Sequence, residues 1–209
     1  MKEITREAVE NNHKEYLKRV KLYEGLGLDT VELRENIIKH IDCNAKNILE
    51  IGTGNGLLTC LLAKKFNKVI SIDIDEEAQH IAKFNLAYEK LLDNVCFEIK
   101  NAEDLNFKDR SFDFVVSAFS FHHFVKPFRV LQEIIRVTNN TLVVTDFNEN
   151  GFRIVDELHQ KEDRHHERKS KDFDIVGVYL RECGFDVVED EDKWQKIYIA
   201  ERKINEVKK

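Results

Sequence analysis

The stretch "ILEIGTGNGLLT", residues 48–59, decides the fold. Ile48, Leu49 and Ile51 around Glu50 read as a short buried strand, and the apolar positions from Leu57 to Phe66 read as a helix. Between them Gly52, Gly54 and Gly56 stand at alternate positions. Glycine tolerates positive φ and lets a ligand come close to the backbone. A strand, a glycine loop and a helix in that order therefore put a binding site at the carboxyl edge of a sheet.

The same alternation runs outward from this unit. Short apolar runs, "NILEIG" (47–52), "VISID" (69–73), "VCFEIKN" (95–101), "FDFVVSA" (112–118), "TLVVTDF" (141–147), "FDVVED" (185–190) and "KIYIAER" (196–202), predict seven strands. Helices are expected over 57–66, 76–88, 127–137 and 173–183, the third opening on Pro127 and the fourth ending at Gly184. Strands that alternate with helices imply a parallel α/β sheet covered on both faces. The last two strands are joined only by "EDKWQ", too short for a parallel crossover, so that pair is expected to be antiparallel. Upstream, residues 1–42 carry helical periodicity with Val9, Tyr16, Leu17, Val20 and Tyr23 near one face, then a break at "GLGLDT". A second helix, capped by Asp29 or Thr30, carries Val31, Leu33, Ile37, Ile38 and Ile41. The expected organisation is a helical cap over 1–42 and one binding domain over 43–209, with a lid-like insertion at 147–170.

The glycine spacing narrows the ligand. A phosphate-cradling loop of the GxxxxGK[ST] kind lacks both its spacing and its lysine. A GxGxxG dinucleotide fingerprint would need its third glycine one residue later than Gly56. Glu50, just before the turn, would repel a pyrophosphate and attract a cation. S-adenosylmethionine, with its sulfonium and ammonium, fits. Asp73, at the end of "VISID", lies where a carboxylate can accept both hydroxyls of a ribose over the glycine loop. Asn101, Ala102 and Glu103 follow the third strand and can meet an adenine edge.

Together "ILEIGTGNG", "VISIDID", "NAEDLNF" and "SFDFVVSAFSFHHF" resemble the class I S-adenosylmethionine-dependent methyltransferases, above all the branch of small-molecule and quinone-biosynthesis enzymes. The resemblance covers about residues 45 to 146. It implies a Rossmann-like fold whose seven-stranded, mostly parallel sheet ends on an antiparallel strand, with S-adenosylmethionine as cofactor. It also implies that the loop of Gly52, Thr53, Gly54, Asn55 and Gly56, with the Glu50 region, faces the methionine part. Asp73 would bind ribose, Ile74 would pack on adenine, and Asn101, Ala102 and Glu103 would line the adenine edge. Ser117 and Ala118 would lie under the sulfonium. Two departures stand out. "VTNNT" (137–141) replaces the family's Pro-Gly-Gly turn, with Asn139 and Asn140 expected to supply positive φ, and "SAFSFHH" occupies the place of an NPPY-type tetrapeptide.

Chemistry beyond the cofactor rests on fewer residues. His122 and His123 follow the fourth strand, where an imidazole can take a proton from an acceptor near neutral pH; the alternative is that both are structural. Asp146, with Asn148 and Glu149, would face the pocket mouth. The segment "DFNENGFRIVDELHQKEDRHHERKS" (146–170) places His159, Asp163 and His166 along one helical face, a possible metal set with His122 or His123. The commoner outcome for such a run is a solvated mixed-charge helix, and no metal is assigned. Arg153 or Arg164 could instead hold a carboxylate-bearing acceptor. Tyr16 and Tyr23 either close over the ligand or anchor their helix, and Trp194 reads as packing.

Composition bounds the alternatives. No apolar run approaches the roughly 18 residues of a membrane span, and "MKEITREAVENNHKEY" lacks the apolar core of a secretory signal, so the expected location is the cytoplasm. Cys43, Cys60, Cys96 and Cys183 stand far apart and read as buried thiols. A net charge of −6 without a dense basic run weakens a nucleic-acid partner. The leading reading is methyl transfer to a small-molecule acceptor by a monomer or homodimer. The alternatives are methylation of RNA or protein, a cofactor-binding subunit without catalysis, and a nicotinamide dehydrogenase.

Overall fold

A computed structural model describes residues 3–162, 167–170 and 172–203. Seven strands form one sheet: β1 (Ile48–Ile51), β2 (Val69–Asp73), β3 (Val95–Ile99), β4 (Phe112–Ala118), β5 (Thr138–Phe147), β6 (Phe185–Glu191) and β7 (Gln195–Arg202). Their order is β3-β2-β1-β4-β5-β7-β6. β1 pairs in parallel with both β2 and β4, while β7 runs antiparallel to β5 and β6, as the short connection requires. Strand order therefore reverses between β1 and β4. The chains leaving those two strands diverge, and the crevice that opens between them is where a doubly wound sheet binds ligands.

Side-chain alternation sends Leu49, Ile51 and Val115 to one apolar cluster and Ile48, Phe114 and Val116 to the other. Helices cover both. α3 (Leu57–Lys65) buries Leu58 and Leu62 in the second cluster, and α5 (Pro127–Val137) buries Val130, Leu131, Ile134 and Val137 in the first, a stripe at helical spacing. Each such buried aliphatic side chain contributes about 1.5–3 kcal/mol. α4 (Glu76–Tyr88), α6 (Glu149–Lys161) and α7 (Val176–Glu182) complete the layers, and Gly184 ends α7 at φ +88°. Gly56 caps α3 at φ +80°, where a Cβ would meet that of Ala82 at 2.7 Å, so this glycine lets α3 close on α4.

Three expectations are corrected. α5 runs into β5 with no intervening turn: Val137 ends the helix, Thr138 begins the strand, and its Oγ1 donates to the Ile134 carbonyl at 2.6 Å. Asn139 and Asn140 are strand residues without positive φ; the left-handed residue near that end of the sheet is Arg110, whose amide donates to the Arg136 carbonyl. Leu17 faces solvent from α1 (Arg6–Gly25), a helix with no fully buried residue. The cysteines are free thiols, but Cys43 and Cys96 are exposed.

α1 crosses the mouth of the crevice. It is held to α4 by Asn12, whose Nδ2 donates to Asn85 Oδ1 at 2.7 Å, and by a 3.5 Å ring stack of His13 on Tyr88. Arg19 reaches Glu162, just past α6, at 3.5 Å. α2 (Thr30–Ile38), capped by the Asp29 carboxylate, buries Leu33 and Ile37. Among the described residues no helix is long and apolar enough to cross a membrane.

Candidate active site

A cavity of about 1180 Å³ lies at the carboxyl ends of β1, β2 and β4, beneath α1. Small-molecule pockets are typically about 300–1,000 Å³, so this one has room for a nucleoside-sized ligand and a second molecule. Its cofactor-like half is lined by Gly52, Thr53, Gly54 and Asn55, by Asp73 and Ile74, and by Asn101, Ala102, Glu103 and Ala118.

The glycines do separate jobs. Gly54 (φ +49°) has nothing within 4 Å of an added Cβ and leaves its backbone open to the cavity. Gly52 (φ +89°) has no such room, because a Cβ would stand 2.1 Å from Ser120 Oγ. Gly56 belongs to the α3–α4 contact and does not line the cavity. Asp73 accepts the Gly54 amide at 2.7 Å on Oδ2 and the Asp75 amide at 2.9 Å on Oδ1, which fixes its carboxylate at the edge of the loop. Ile74 is 71% exposed, an apolar platform at the rim. Asn101 Oδ1 accepts the Glu103 amide at 2.9 Å and rigidifies the facing loop.

Glu50 is 1% exposed, and two hydroxyls, from Thr59 and Ser71, donate to its Oε2 at 2.6 Å each. Since the single Ser71 proton goes to Glu50, Thr53 Oγ1 is the donor in its own 2.7 Å contact with Ser71. Among the described residues no donor meets Oε1. Burial pushes the Glu50 carboxyl up to about 7, despite the two hydroxyls and the nearby Arg34 that favour its charge. A cationic ligand would restore that charge.

The other half of the cavity is lined by Arg19, Leu22 and Tyr23 from α1, Arg34 from α2, Phe119 and Ser120 after β4, His123, Phe147 and Lys169. Tyr16 and Tyr23 both line the cavity, and Tyr23 also packs with Phe119, Phe147 and Trp194 around the small cluster of Leu28, Leu33 and Ile154. Arg34 was not singled out from sequence. The available signal was its place one helical turn after Thr30 and beside the buried Leu33.

The structure separates the residues expected to do chemistry. His123 lines the cavity, but His122 is 3% exposed and does not. Asp146 is equally buried, so its expected place at the pocket mouth is corrected. Its carboxylate accepts the His122 amide and the His122 Nδ1, both at 2.8 Å, and the Phe147 amide at 2.8 Å. The His122 carbonyl accepts the Lys169 and Ser170 amides. His122 and Asp146 thus tie the ends of β4 and β5 to the segment after α6. Ser117 is buried below the cavity and does not line it. Asn148 caps α6, accepting the Gly151 amide and donating to Glu191 and the Asp192 carbonyl, so it and Glu149 lie off the cavity. Arg153 does not line it either. Asp163, Arg164, His165 and His166 lie outside the described residues. Among the described residues no group of three or more His, Cys, Asp or Glu could hold a metal ion.

Residues 49–144, from β1 nearly to the end of β5, match the methyltransferase-domain family. Over that stretch the chain is similar to the class I S-adenosylmethionine-dependent methyltransferases. S-adenosylmethionine is the family's cofactor, and the open Gly54 backbone, the Asp73 carboxylate and the bare Glu50 oxygen suit its ribose and ammonium. Within the methyltransferases, the chain is 32% identical over 102 residues to the uncharacterized methyltransferase YcgJ of Bacillus subtilis, a match over 48% of this chain and 40% of that protein. It is 32% identical over 106 residues to the ubiquinone/menaquinone biosynthesis C-methyltransferase UbiE of Hydrogenovibrio crunogenus, over 48% and 42%. The chain thus spans about two fifths of the length of these curated relatives. The crystal structure of an S-adenosylmethionine-dependent methyltransferase from Aquifex aeolicus superposes with a TM-score of 0.63 at 24% identity, over 81% of this chain and 89% of that one, which shows the shared fold.

Proposed function

We propose that this chain transfers the methyl group of S-adenosylmethionine to a small-molecule acceptor held between α1, α2 and the segment after α6. The observation that carries the reading is one cavity with two halves. The first offers Glu50, Gly54 and Asp73 to the cofactor; the second is lined by Tyr23, Phe119 and Phe147, with His123 at its wall. The aromatic lining suits a planar, largely apolar acceptor, and the likeness to a quinone-biosynthesis C-methyltransferase supports that class.

In this reading the acceptor's nucleophile attacks the methyl carbon in line with the carbon–sulfur bond. The bond to sulfur breaks, its electron pair stays on sulfur, and the product is the neutral thioether S-adenosylhomocysteine. The sulfonium already activates the methyl group, so the protein's task is to orient the pair and exclude water, with α1 covering the crevice. His123 is the group placed to take the acceptor's proton. Asn101, Ala102 and Glu103 line the adenine end, Ile74 packs on the base, and Ala118 and Ser120 lie near the transferring carbon.

Calorimetric titration with S-adenosylmethionine, S-adenosylhomocysteine and NADH tests the cofactor half. The first two should bind and NADH should not; binding of NADH alone would overturn the reading. Methyl-labelled cofactor offered to a panel of quinols and phenols then tests the acceptor half.

The two histidines should part company on substitution. His123→Ala is expected to lower turnover about 10²-fold, within the usual range for a lost general base, while leaving S-adenosylhomocysteine affinity and thermal stability near wild type. His122→Ala leaves the Asp146 charge buried with only backbone donors, so it should lower stability by about 3 kcal/mol. Turnover of the first variant and unfolding of the second check the assignment. Wild-type turnover in His123→Ala would return that ring to a structural role.

A further inference from the structure

Arg34 carries a charge into the cavity without a matching anion. One of its N–H groups donates to the Thr30 carbonyl at 2.8 Å, and its guanidinium lies 4.8 Å from the centre of the Phe119 ring. Glu50 is near enough to act on it electrostatically, yet among the described residues no carboxylate forms an ion pair with it. Burial lowers its pKa to about 10. Arg34 is half-buried at the cavity wall, and its planar fork matches a carboxylate in two parallel hydrogen bonds.

Phe119 adds a second, independent observation. Its φ is +53°, a left-handed conformation that bulky side chains rarely adopt. The turn is locked by its amide, which donates to the Thr145 carbonyl at 2.9 Å, and its ring leans on Phe147 at 4.4 Å. The result of this strained turn is a ring laid beside Arg34, in the wall of the cavity. Strain held at a ligand-facing turn is expected where geometry serves function.

We propose that Arg34, held in orientation by Phe119, is the receptor for a carboxylate of the ligand bound in this cavity. The inference rests on the methyl-transfer reading and deepens it. That carboxylate belongs either to the amino-acid end of S-adenosylmethionine, with the bare oxygen of Glu50 taking the ammonium beside it, or to the acceptor. The chemistry at Arg34 is the same in both cases. Arg153 and Arg164 are then not needed for it.

The test uses the full chain, Arg34→Met, Arg34→Lys and Phe119→Leu, titrated by calorimetry with S-adenosylhomocysteine and with 5′-methylthioadenosine, the same nucleoside without the amino-acid end. Benzoate and its uncharged analogue benzamide are titrated into both the free and the S-adenosylhomocysteine-saturated protein. A cofactor carboxylate predicts that Arg34→Met binds S-adenosylhomocysteine at least tenfold more weakly with 5′-methylthioadenosine unchanged. Arg34→Lys should recover part of the loss and Phe119→Leu should show a smaller one. An acceptor carboxylate predicts unchanged nucleoside affinities, with loss of benzoate binding and none of benzamide binding. Wild-type affinities for all four probes in Arg34→Met would overturn the proposal, as would equal losses for both nucleosides. If the wild-type chain bound neither nucleoside, the cofactor reading would fail by itself, and the benzoate arm on the free protein would still decide Arg34.

Discussion

Asp73→Ala should weaken S-adenosylmethionine and S-adenosylhomocysteine at least 100-fold while the protein stays folded. The carboxylate ends β2 at the edge of the glycine loop and lines the cavity. Each oxygen accepts one backbone amide, Gly54 on Oδ2 and Asp75 on Oδ1, and keeps a further lone pair for a ribose hydroxyl. Two hydrogen bonds to a charged acceptor contribute roughly 1.5–3 kcal/mol each, so losing both removes about 10²- to 10⁴-fold in affinity. The alanine variant also releases the Gly54 amide, and Asp73→Asn separates the two effects: it keeps one acceptor oxygen and should lie between alanine and wild type. The ribose is present in 5′-methylthioadenosine too, so that ligand must lose affinity in parallel. This is the opposite of what Arg34→Met predicts if Arg34 holds the cofactor's carboxylate. Calorimetry with both nucleosides, beside a thermal melt, checks the prediction; unchanged affinity would remove Asp73 from the ribose.

The sheet was legible because its signals are local. Each strand announces itself as a short apolar run, and the short link between β6 and β7, three residues in the structure, settles their direction by geometry alone. The loops at the carboxyl edge followed, since a glycine triplet and a strand-end aspartate carry their reason in their spacing. Legibility failed wherever a residue's role depends on its neighbours in space. Nothing in "VTNNT" says that α5 enters β5 directly, because that depends on how tightly the helix docks. "HH" names two rings after β4 but not which of them turns toward Asp146 and which toward the cavity. Asp146 lies one residue from the end of its strand and Asp73 at the end of its own, and only the packing of His122 over Asp146 makes one a buried tie and the other a cavity-lining group. Arg34 was hidden for a related reason. It lies beside an apolar stripe that explains the helix, and a cation at the margin of such a stripe ordinarily reaches water. Here the side chain instead enters the wall of the cavity, beside the Phe119 ring.

Glu50→Gln should stabilise the ligand-free protein at neutral and higher pH and at the same time weaken the cofactor about 10- to 100-fold. The two effects have one origin. Burial raises the Glu50 carboxyl from its ordinary 4.5 to about 7 in the folded chain. Between those values the folded state holds a proton that the unfolded state has released, so stability falls as pH rises through this window. Above pH 7 the full penalty is present, on the order of 3 kcal/mol for a shift of this size. Glutamine keeps an oxygen for the Thr59 and Ser71 hydroxyls and carries no charge, so most of that penalty disappears. The gain should be absent below about pH 4.5, where glutamic acid is neutral in both states. Binding runs the other way. The ligand's ammonium favours the ionised carboxylate, so wild-type affinity should fall as pH drops below about 7, because a proton must leave Glu50 for the pair to form. The glutamine variant should bind weakly at every pH and lose that dependence. Unfolding and S-adenosylhomocysteine titrations at pH 5, 6, 7 and 8 read both trends. A variant that is no more stable than wild type at pH 8, or one that keeps the wild-type pH profile of binding, would mean that Glu50 is not the group holding the ammonium. If both trends appear, the acid that begins the glycine loop is a site where folding free energy is given up so that a cation can be bound.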